Sequence, residues 1–577
     1  MAGIAPDEGV KKASSFFTPI LPYFLAGFSA FLLSGTFGCL RDFSAACLWL
    51  AMFLALCEAT VFVLSQIFEL SPRRKSLLAA VCYGGRICAV FLLAVWYFNF
   101  RMQANPYENF APRYVSVTAR IDEVSTGVND SRYGVATIVS APENLKRSVG
   151  MKMWYVVSDG KNRTGKNRDF ITSQTVRFRG VFASTYPDEC KARGFFADKP
   201  ESKAFEKYLH NRFIFFKMSS RVADSEIIKE ADPRYVFYRK VYGYMSSSLS
   251  LLPFGGRGES EAALTYRAMI LGDKSLLTPL QKQSFMDTGT MHVFAISGLH
   301  IGFAAALLYG MLSLFRVNWR IQPFAALPVL YLYVCACGSR PSALRAFGMI
   351  ALVWLALSLS RGMRPFPSLV LAASIALIAS PENIFDAGFV LSYSIVAAIL
   401  IYSIPLYNCA MSAISGKFSV AGTSSGRRFA AWLERYFVAA FCISLGAMFA
   451  CAPLSAHYFS YVAPMSVFYS PVFVSGAGIA VGLGFAGFGL PSFIAEILNA
   501  IAVLIVGAMS SFAQFGARIW SGKIEMAMPD LLLAYFAVFG FLAISAVFEN
   551  RRGLFLRFVL APIFTMSIMA FVYLKNG

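Results

Sequence analysis

The chain has 577 residues, of which 57% are hydrophobic and only 15% charged, and its mean hydropathy is +0.57. A soluble protein of this size needs a far more charged surface, so the composition excludes that class and points to a surface that faces lipid. The formal net charge of +20 fits two roles, topology-setting Lys and Arg in cytoplasmic loops or attraction of a polyanion or anionic lipid, and charge alone does not choose between them.

In chain order, three apolar windows come first, at about 17–37, 45–69 and 77–99, each close to the roughly 20 residues that cross a bilayer. Lys11 and Lys12 precede the first window and no small-residue cleavage site follows it, which reads as a retained span rather than a removed leader. The loop Arg73-Arg74-Lys75 is strongly basic and is expected in the cytoplasm. The third window then leads outward, and residues 105–230 are expected to be extracytoplasmic.

That polar segment reads as β. Tyr114–Ile121 alternates apolar and polar residues, and Tyr133–Val139, Met151–Val157 and Thr175–Val181 do likewise, separated by turn-rich stretches such as Ser158–Asp169. Four or five short strands in about 80 residues suit a small barrel such as the OB-fold. Residues 231–290 carry amphipathic helical patterning without a spanning window, as in Tyr235, Tyr238, Val241 and Tyr242 opposite Arg239 and Lys240. These helices are expected at the outer membrane surface or dipping into it.

Ten further windows follow, at about 291–315, 322–338, 342–360, 367–380, 385–408, 436–459, 463–488, 492–512, 529–548 and 554–574. If the first runs inward, the inner loops hold Arg316 and Arg320, Arg361 and Arg364, Lys417, Arg427, Arg428 and Arg435, and Arg551 and Arg552. Every strongly basic loop then falls inside, as the charge rule requires. The expected fold is a polytopic α-helical membrane protein of about 12–13 spans or re-entrant segments, carrying a small extracytoplasmic all-β OB-like domain. Its parts are 1–104 (first helices), 105–230 (barrel), 231–290 (surface helices) and 291–577 (second transmembrane bundle).

Polar groups inside such a bundle are costly and therefore informative. His292, Ser297 and His300 cluster at the start of one window, with Gly298 and Gly302 in a GxxxG spacing that permits close helix approach. A packing motif with satisfied hydroxyl and imidazole groups is the other reading of that stretch. Arg340 and Arg345 flank Pro341 on the outer side, where topology charges are not needed. Arginine suits phosphate through its planar fork, although interfacial snorkelling would also explain it. Asp386 and Ser392 belong to a third polar stretch, and Arg345 is a natural partner for Asp386, in a structural or a functional pair.

These three stretches resemble the ComEC/Rec2 family of competence channels. The resemblance rests on Leu271-Gly272-Asp273, Thr288-Gly289, His292 and Ala295 through His300, then on Gly338 through Ser342 with Arg345-Ala346, then on Pro381 and Asp386 through Ser392. It implies an inner-membrane channel that passes single-stranded DNA to the cytoplasm, without catalysis by this chain. His292, Ser297, His300, Arg340, Arg345, Asp386 and Ser392 would then lie along the DNA pathway. Arg120, Arg132, Lys152, Arg177 and Arg179 could track phosphates on the outer domain, and Trp154, with Tyr114 and Tyr155, could stack on bases. The implied partners are a DNA receptor, a separate nuclease and a cytoplasmic ATP-driven motor or DNA-binding protein, alongside the lipid bilayer, with homo-oligomers left open.

Some features depart from the family. The metallo-β-lactamase-like domain of many relatives needs a cluster of histidines, and this chain has four, His210, His292, His300 and His457, none so spaced. No metal or cofactor is expected. Cys190 stands alone in the polar segment, which argues against the outer-domain disulfide of some relatives. Val390 occupies a position that is usually glutamine in the family.

Overall fold

The structure is a computed structural model that describes residues 24–30, 47, 50–52, 72–101, 113–126, 131–158, 170–184, 209, 214–252, 260–296, 298–339, 341–358, 365–415, 425–519, 522–526, 529–547 and 554–576. It divides into two compact units. Within the first, helix α1 (Pro72–Arg101) touches the segment 363–386: Tyr97 donates to the Ile378 carbonyl at 2.5 Å, and the rings of Phe98 and Phe385 meet edge-on at 6.3 Å.

The second unit contains the barrel and most of the helices. Strands β1 (Arg113–Ile121), β3 (Arg132–Ser140), β4 (Lys152–Ser158), β5 (Thr175–Ser184) and β6 (Ile214–Lys229) form a ring in the order β1-β5-β6-β4-β3, closed by pairing of β3 with β1. The short β2 (Ser125–Thr126) flanks β3. This is a small five-strand barrel, the strand count of the OB-fold. The alternation seen in the sequence becomes the inside and outside of the ring, because side chains alternate across a strand. Val117, Ala119, Ile121, Met153, Tyr155, Val157, Val176 and Phe178 are buried in it. Closure brings backbones very near at two glycines: a Cβ on Gly134 would collide with the Glu123 carbonyl, and one on Gly180 with that of Ser219.

Tyr155 is fully buried and stacks on Phe178 at 5.3 Å, with its hydroxyl on the Glu123 carbonyl at 3.1 Å. It is a core residue, which corrects its reading as a stacking face for bases. Trp154, one residue earlier, faces the other way and packs against Tyr133 with centroids 5.5 Å apart.

The helices that follow are α2 (Pro233–Leu249), α3 (Glu261–Leu271), α4 (Pro279–Asp287), α5 (Gly298–Leu314), α6 (Gln322–Ala336), α7 (Pro341–Ser358) and α8 (Pro365–Ala379). Then come α9 (Ala387–Ala398), a π turn (Ile399–Ser403), α10 (Ile404–Ser415), α11 (Ser425–Phe459), α12 (Ser466–Gly487), α13 (Ser492–Ile519), α14 (Leu531–Val547) and α15 (Leu554–Asn576). Five described helices are long and apolar enough to cross a membrane, at Ala387–Ile414, Leu433–Phe459, Ser466–Gly487, Ser492–Ile519 and Arg557–Leu574. Shorter apolar helices occupy the other windows from 77–99 onward. The windows at 17–37 and 45–69 lie mostly outside the described residues.

The segment 231–290 divides in two. Helix α2 starts on a capping Asp232 and Pro233, and it exposes Phe237, Arg239, Lys240 and Tyr244 along one side, as an interfacial helix would. Helices α3 and α4 instead pack inside the bundle. Seven residues of α3 are buried, Ala263, Thr265, Tyr266 and Ala268–Leu271 among them. Their seat is a seam of small residues on α13, including Ala495, Asn499, Ala502, Ser510, Ala513 and Gly516. A Cβ on Gly507 would sit 3.3 Å from Ala262. Three polar side chains of the pair are matched within the bundle: Tyr266 donates to Asn499 at 3.1 Å, and Gln281 to Thr265 at 2.9 Å and to Ser510 at 3.5 Å.

Candidate functional site

Helix α3 ends at Gly272, whose positive φ of 69° any side chain would strain, and a Cβ there would sit 2.7 Å from Ile296. Asp273 then caps the next short turn through the Ser275 amide at 3.0 Å. Helix α4 opens on a capping box, Thr278 with Gln281, and closes into the turn Thr288-Gly289-Thr290. Gly289 also has positive φ, 70°, and its bare Cα is pressed against Ala463 and Ser466. The His292 Nδ1 lies 3.1 Å from the Gly289 carbonyl, while the ring edge is exposed.

The chain now turns into α5 through Ile296 and Gly298. Ser342, at the start of α7, donates to the Ile296 carbonyl at 2.8 Å. His300 is fully buried and bonds the Met269 backbone. Tyr333 donates to the next carbonyl, Ile270, at 2.7 Å. One turn beyond Ser342, Arg345 is 7% exposed and its guanidinium carbon lies 5.6 Å from the Phe389 ring centroid. Phe389 packs on Tyr393 at 4.6 Å, beside the half-buried Ser392.

Three stretches separated in sequence therefore meet in space: the 269–300 turns, the start of α7 and the start of α9. Arg345 sits at that junction, held by a π face and not in water, an arrangement worth about 2 kcal/mol or more when desolvated. His300 acts here as an internal anchor of α3. Ser297 and Arg340 lie outside the described residues. Asp386 follows the turn Pro381–Phe385, in the other compact unit. Among the described residues no group of three metal-binding side chains occurs.

On the barrel, register places several of the expected contacts side by side. Arg120 stands opposite Thr137 on β3 and Thr175 on β5, and Thr137 stands opposite Lys152. Arg177 and Arg179 stand opposite Thr118 and Ser116. Arg120, Lys152 and Arg179 are exposed. Two of these cations meet carboxylates: Arg120 lies 3.7 Å from Asp122, and Arg177 lies 3.2 Å from Glu226. Burial raises the Asp122 carboxyl above its usual range, with the Thr137 hydroxyl, Arg120 and Lys152 pulling it back. Arg132 stands at the other end of β3, opposite Val157, three residues from Val135, which stands opposite Trp154.

The sequence reading missed Arg557. It falls within the last apolar window and is 4% exposed inside α15.

Long apolar helices beside a small barrel, with buried arginine and histidine at a junction of broken helices, define a helical membrane protein. Residues 269–551 match the family described as Competence protein, so this part of the chain carries a domain of that description. It is 29% identical over 160 residues to "ComE operon protein 3" of Bacillus subtilis (strain 168), covering 28% of this chain and 20% of that protein. It is 32% identical over 150 residues to "Uncharacterized protein YcaI" of Escherichia coli (strain K12), covering 24% of this chain and 20% of that protein. The matched segment spans about a fifth of the length of these relatives. No solved structure matches.

Proposed function

We propose that this protein is the inner-membrane channel that passes single-stranded DNA into the cytoplasm during DNA uptake. The observation that carries the reading is the convergence of the family-like stretches on Arg345, a desolvated cation at a junction of broken helices. DNA is charged at every nucleotide and cannot cross about 30 Å of hydrocarbon unaided. A guanidinium resting on an aromatic face can exchange that contact for a passing phosphate. Conduction needs such contacts to be weak enough to leave.

In this reading the N-terminus is cytoplasmic and the barrel is extracytoplasmic, where it receives the strand. Its exposed cations would follow phosphates while Trp154 and Tyr133 offer stacking faces, the mode of nonspecific single-strand binders. The chain makes and breaks no bond. A receptor, a nuclease and an ATP-driven motor or DNA-binding protein are separate partners.

The test is gene deletion and complementation in a transformable host, counting transformants while labelled DNA at the surface is followed. Loss of transformants with surface DNA retained supports the channel. Unchanged transformation refutes it and moves transport of another anionic polymer or lipid forward.

A further inference from the structure

Helices α5 and α6 are joined by a tight turn, and α5 closes into it on an arginine. The Val317 amide donates to the Leu312 carbonyl at 3.0 Å and the Arg316 amide to that of Ser313 at 2.9 Å, the paired bonds that end a helix on a left-handed residue. That residue is Arg316, at φ 56°. Glycine holds such a position without strain, whereas a side chain there crowds the backbone. The arginine therefore strains the turn, and its side chain has a role other than closing the helix.

The turn is held firmly by polar contacts. Gln322, buried at the start of α6, donates to the Ser313 hydroxyl at 3.1 Å and to the Val317 carbonyl at 2.9 Å. Asn318 accepts from the Arg320 amide at 3.0 Å. On this fixed backbone Leu314, Phe315, Arg316, Trp319, Arg320 and Ile321 are all exposed, Leu314 at 80% and Phe315 at 73%. The Arg320 guanidinium carbon lies 5.2 Å from the centroid of the Trp319 ring. The sequence holds no carboxylate between Asp287 and Glu382, and among the described residues none pairs with Arg316 or Arg320.

Large apolar side chains so exposed on a turn are a liability in water. Their fitting place is the edge of a bilayer, where tryptophan rings sit at headgroup level and arginine stems lie along apolar surface. Length agrees with this. At 17 and 15 residues, α5 and α6 are about 25 and 22 Å long, so neither exceeds the roughly 30 Å of hydrocarbon and the turn has no spare length to leave the bilayer. The orientation expected from the charge rule puts the turn on the cytoplasmic side, where the lipid surface is negative. A nucleic-acid strand needs water along its route, and the apolar residues around these arginines favour a lipid instead.

We propose that Arg316 and Arg320, with Trp319, form a binding site for the headgroup of an anionic phospholipid in the cytoplasmic leaflet. The guanidinium forks take the phosphate oxygens, Arg320 resting on the indole face. Leu314, Phe315 and Ile321 lie along the acyl chains. Because α5 opens in the motif region, with His300 in its first turn, the bound lipid fixes the depth of that region in the membrane. The site is independent of what the bundle transports.

The experiment melts the full-length protein, purified in a neutral detergent, while phosphatidylglycerol or phosphatidylcholine is titrated in. The wild-type melting temperature should rise with phosphatidylglycerol and not with phosphatidylcholine. In R316Q/R320Q the phosphatidylglycerol needed for half of that rise should be about 25-fold higher, at roughly fivefold per arginine. R551Q/R552Q, which removes two charges from another inner loop, should titrate as wild type. R316G separates strain from binding. Glycine relaxes the turn, so this variant should melt above wild type in phosphatidylcholine and still need about fivefold more phosphatidylglycerol. Should R316Q/R320Q fail to purify, R316G and R320Q decide singly. The site is overturned by a wild type that ignores phosphatidylglycerol, by arginine variants that titrate as wild type, or by equal losses in R316Q/R320Q and R551Q/R552Q, which would reduce it to net charge. It is also overturned if inorganic phosphate or a single-stranded oligonucleotide reproduces the rise, since the ligand would then not be lipid.

Discussion

At the scale of single residues, the protein uses arginine in two environments. On the barrel the cations are exposed and some are paired with carboxylates, which limits each to a few tenths of a kcal/mol up to about 1 kcal/mol. In the bundle Arg345 is desolvated over Phe389, so its removal should be felt in transport beyond the roughly 2 kcal/mol that the ring contact gives the fold. Arg345→Ala is expected to lower uptake by about tenfold or more at normal membrane abundance, read by counting transformants against an immunoblot. Asp122 gives a second test. Its folded-state carboxyl titrates above the ordinary range, so the stability tied to it is full below the unfolded value and is lost as pH rises through the folded value. Asp122→Asn removes that loss, and the Thr137 hydroxyl can still donate to the amide oxygen. A 105–230 fragment carrying the change should melt higher than wild type near neutral pH, with the gap closing in acid. A lower melting temperature near neutral pH would contradict the assignment.

At the scale of elements, the buried pair α3 and α4 depends on one asparagine. Asn499 donates to the Ser248 and Leu251 carbonyls at 2.8 and 3.1 Å and accepts from Tyr266. Asn499→Leu leaves these groups without partners in an apolar setting, at about 1–3 kcal/mol each. A clear fall in the melting temperature of the detergent-solubilised protein is expected, where Leu at the exposed Ile501 should change little. The same elements show what a sequence discloses. Four barrel strands were legible because each alternates with a period of two. Strand β6 was not, since Ile214, Phe215 and Phe216 open it as an apolar run. Helices α3 and α4 looked like surface helices because they are short and carry polar groups, while their partners Asn499 and Ser510 lie far off in the chain. The π turn leaves no mark in an apolar stretch. Arg345 was found because it stands where topology needs no charge, whereas Arg557, inside the last apolar window, was passed over.

At the scale of the whole molecule, the order in which parts are made matters. Helices α3 and α4, with 11 and 9 residues, are about 16 and 14 Å long, half of what a bilayer core requires. Neither can be handed to lipid alone. Gln281 waits for Ser510 and Tyr266 for Asn499, separations of 229 and 233 residues. At roughly 5–20 residues per second a ribosome needs about 10–50 s to supply them. During that interval the motif region stays outside its seat. Nascent chains stalled before residue 492 should therefore carry a cysteine placed at Gln281 that reacts with a water-soluble maleimide. Chains released after residue 530 should protect it, and protection in the shorter chains would show that another surface receives the pair first. On the channel reading, a cell making this protein would not expose a half-built hole in its permeability barrier, because the helix that seats the motif region is among the last to leave the ribosome.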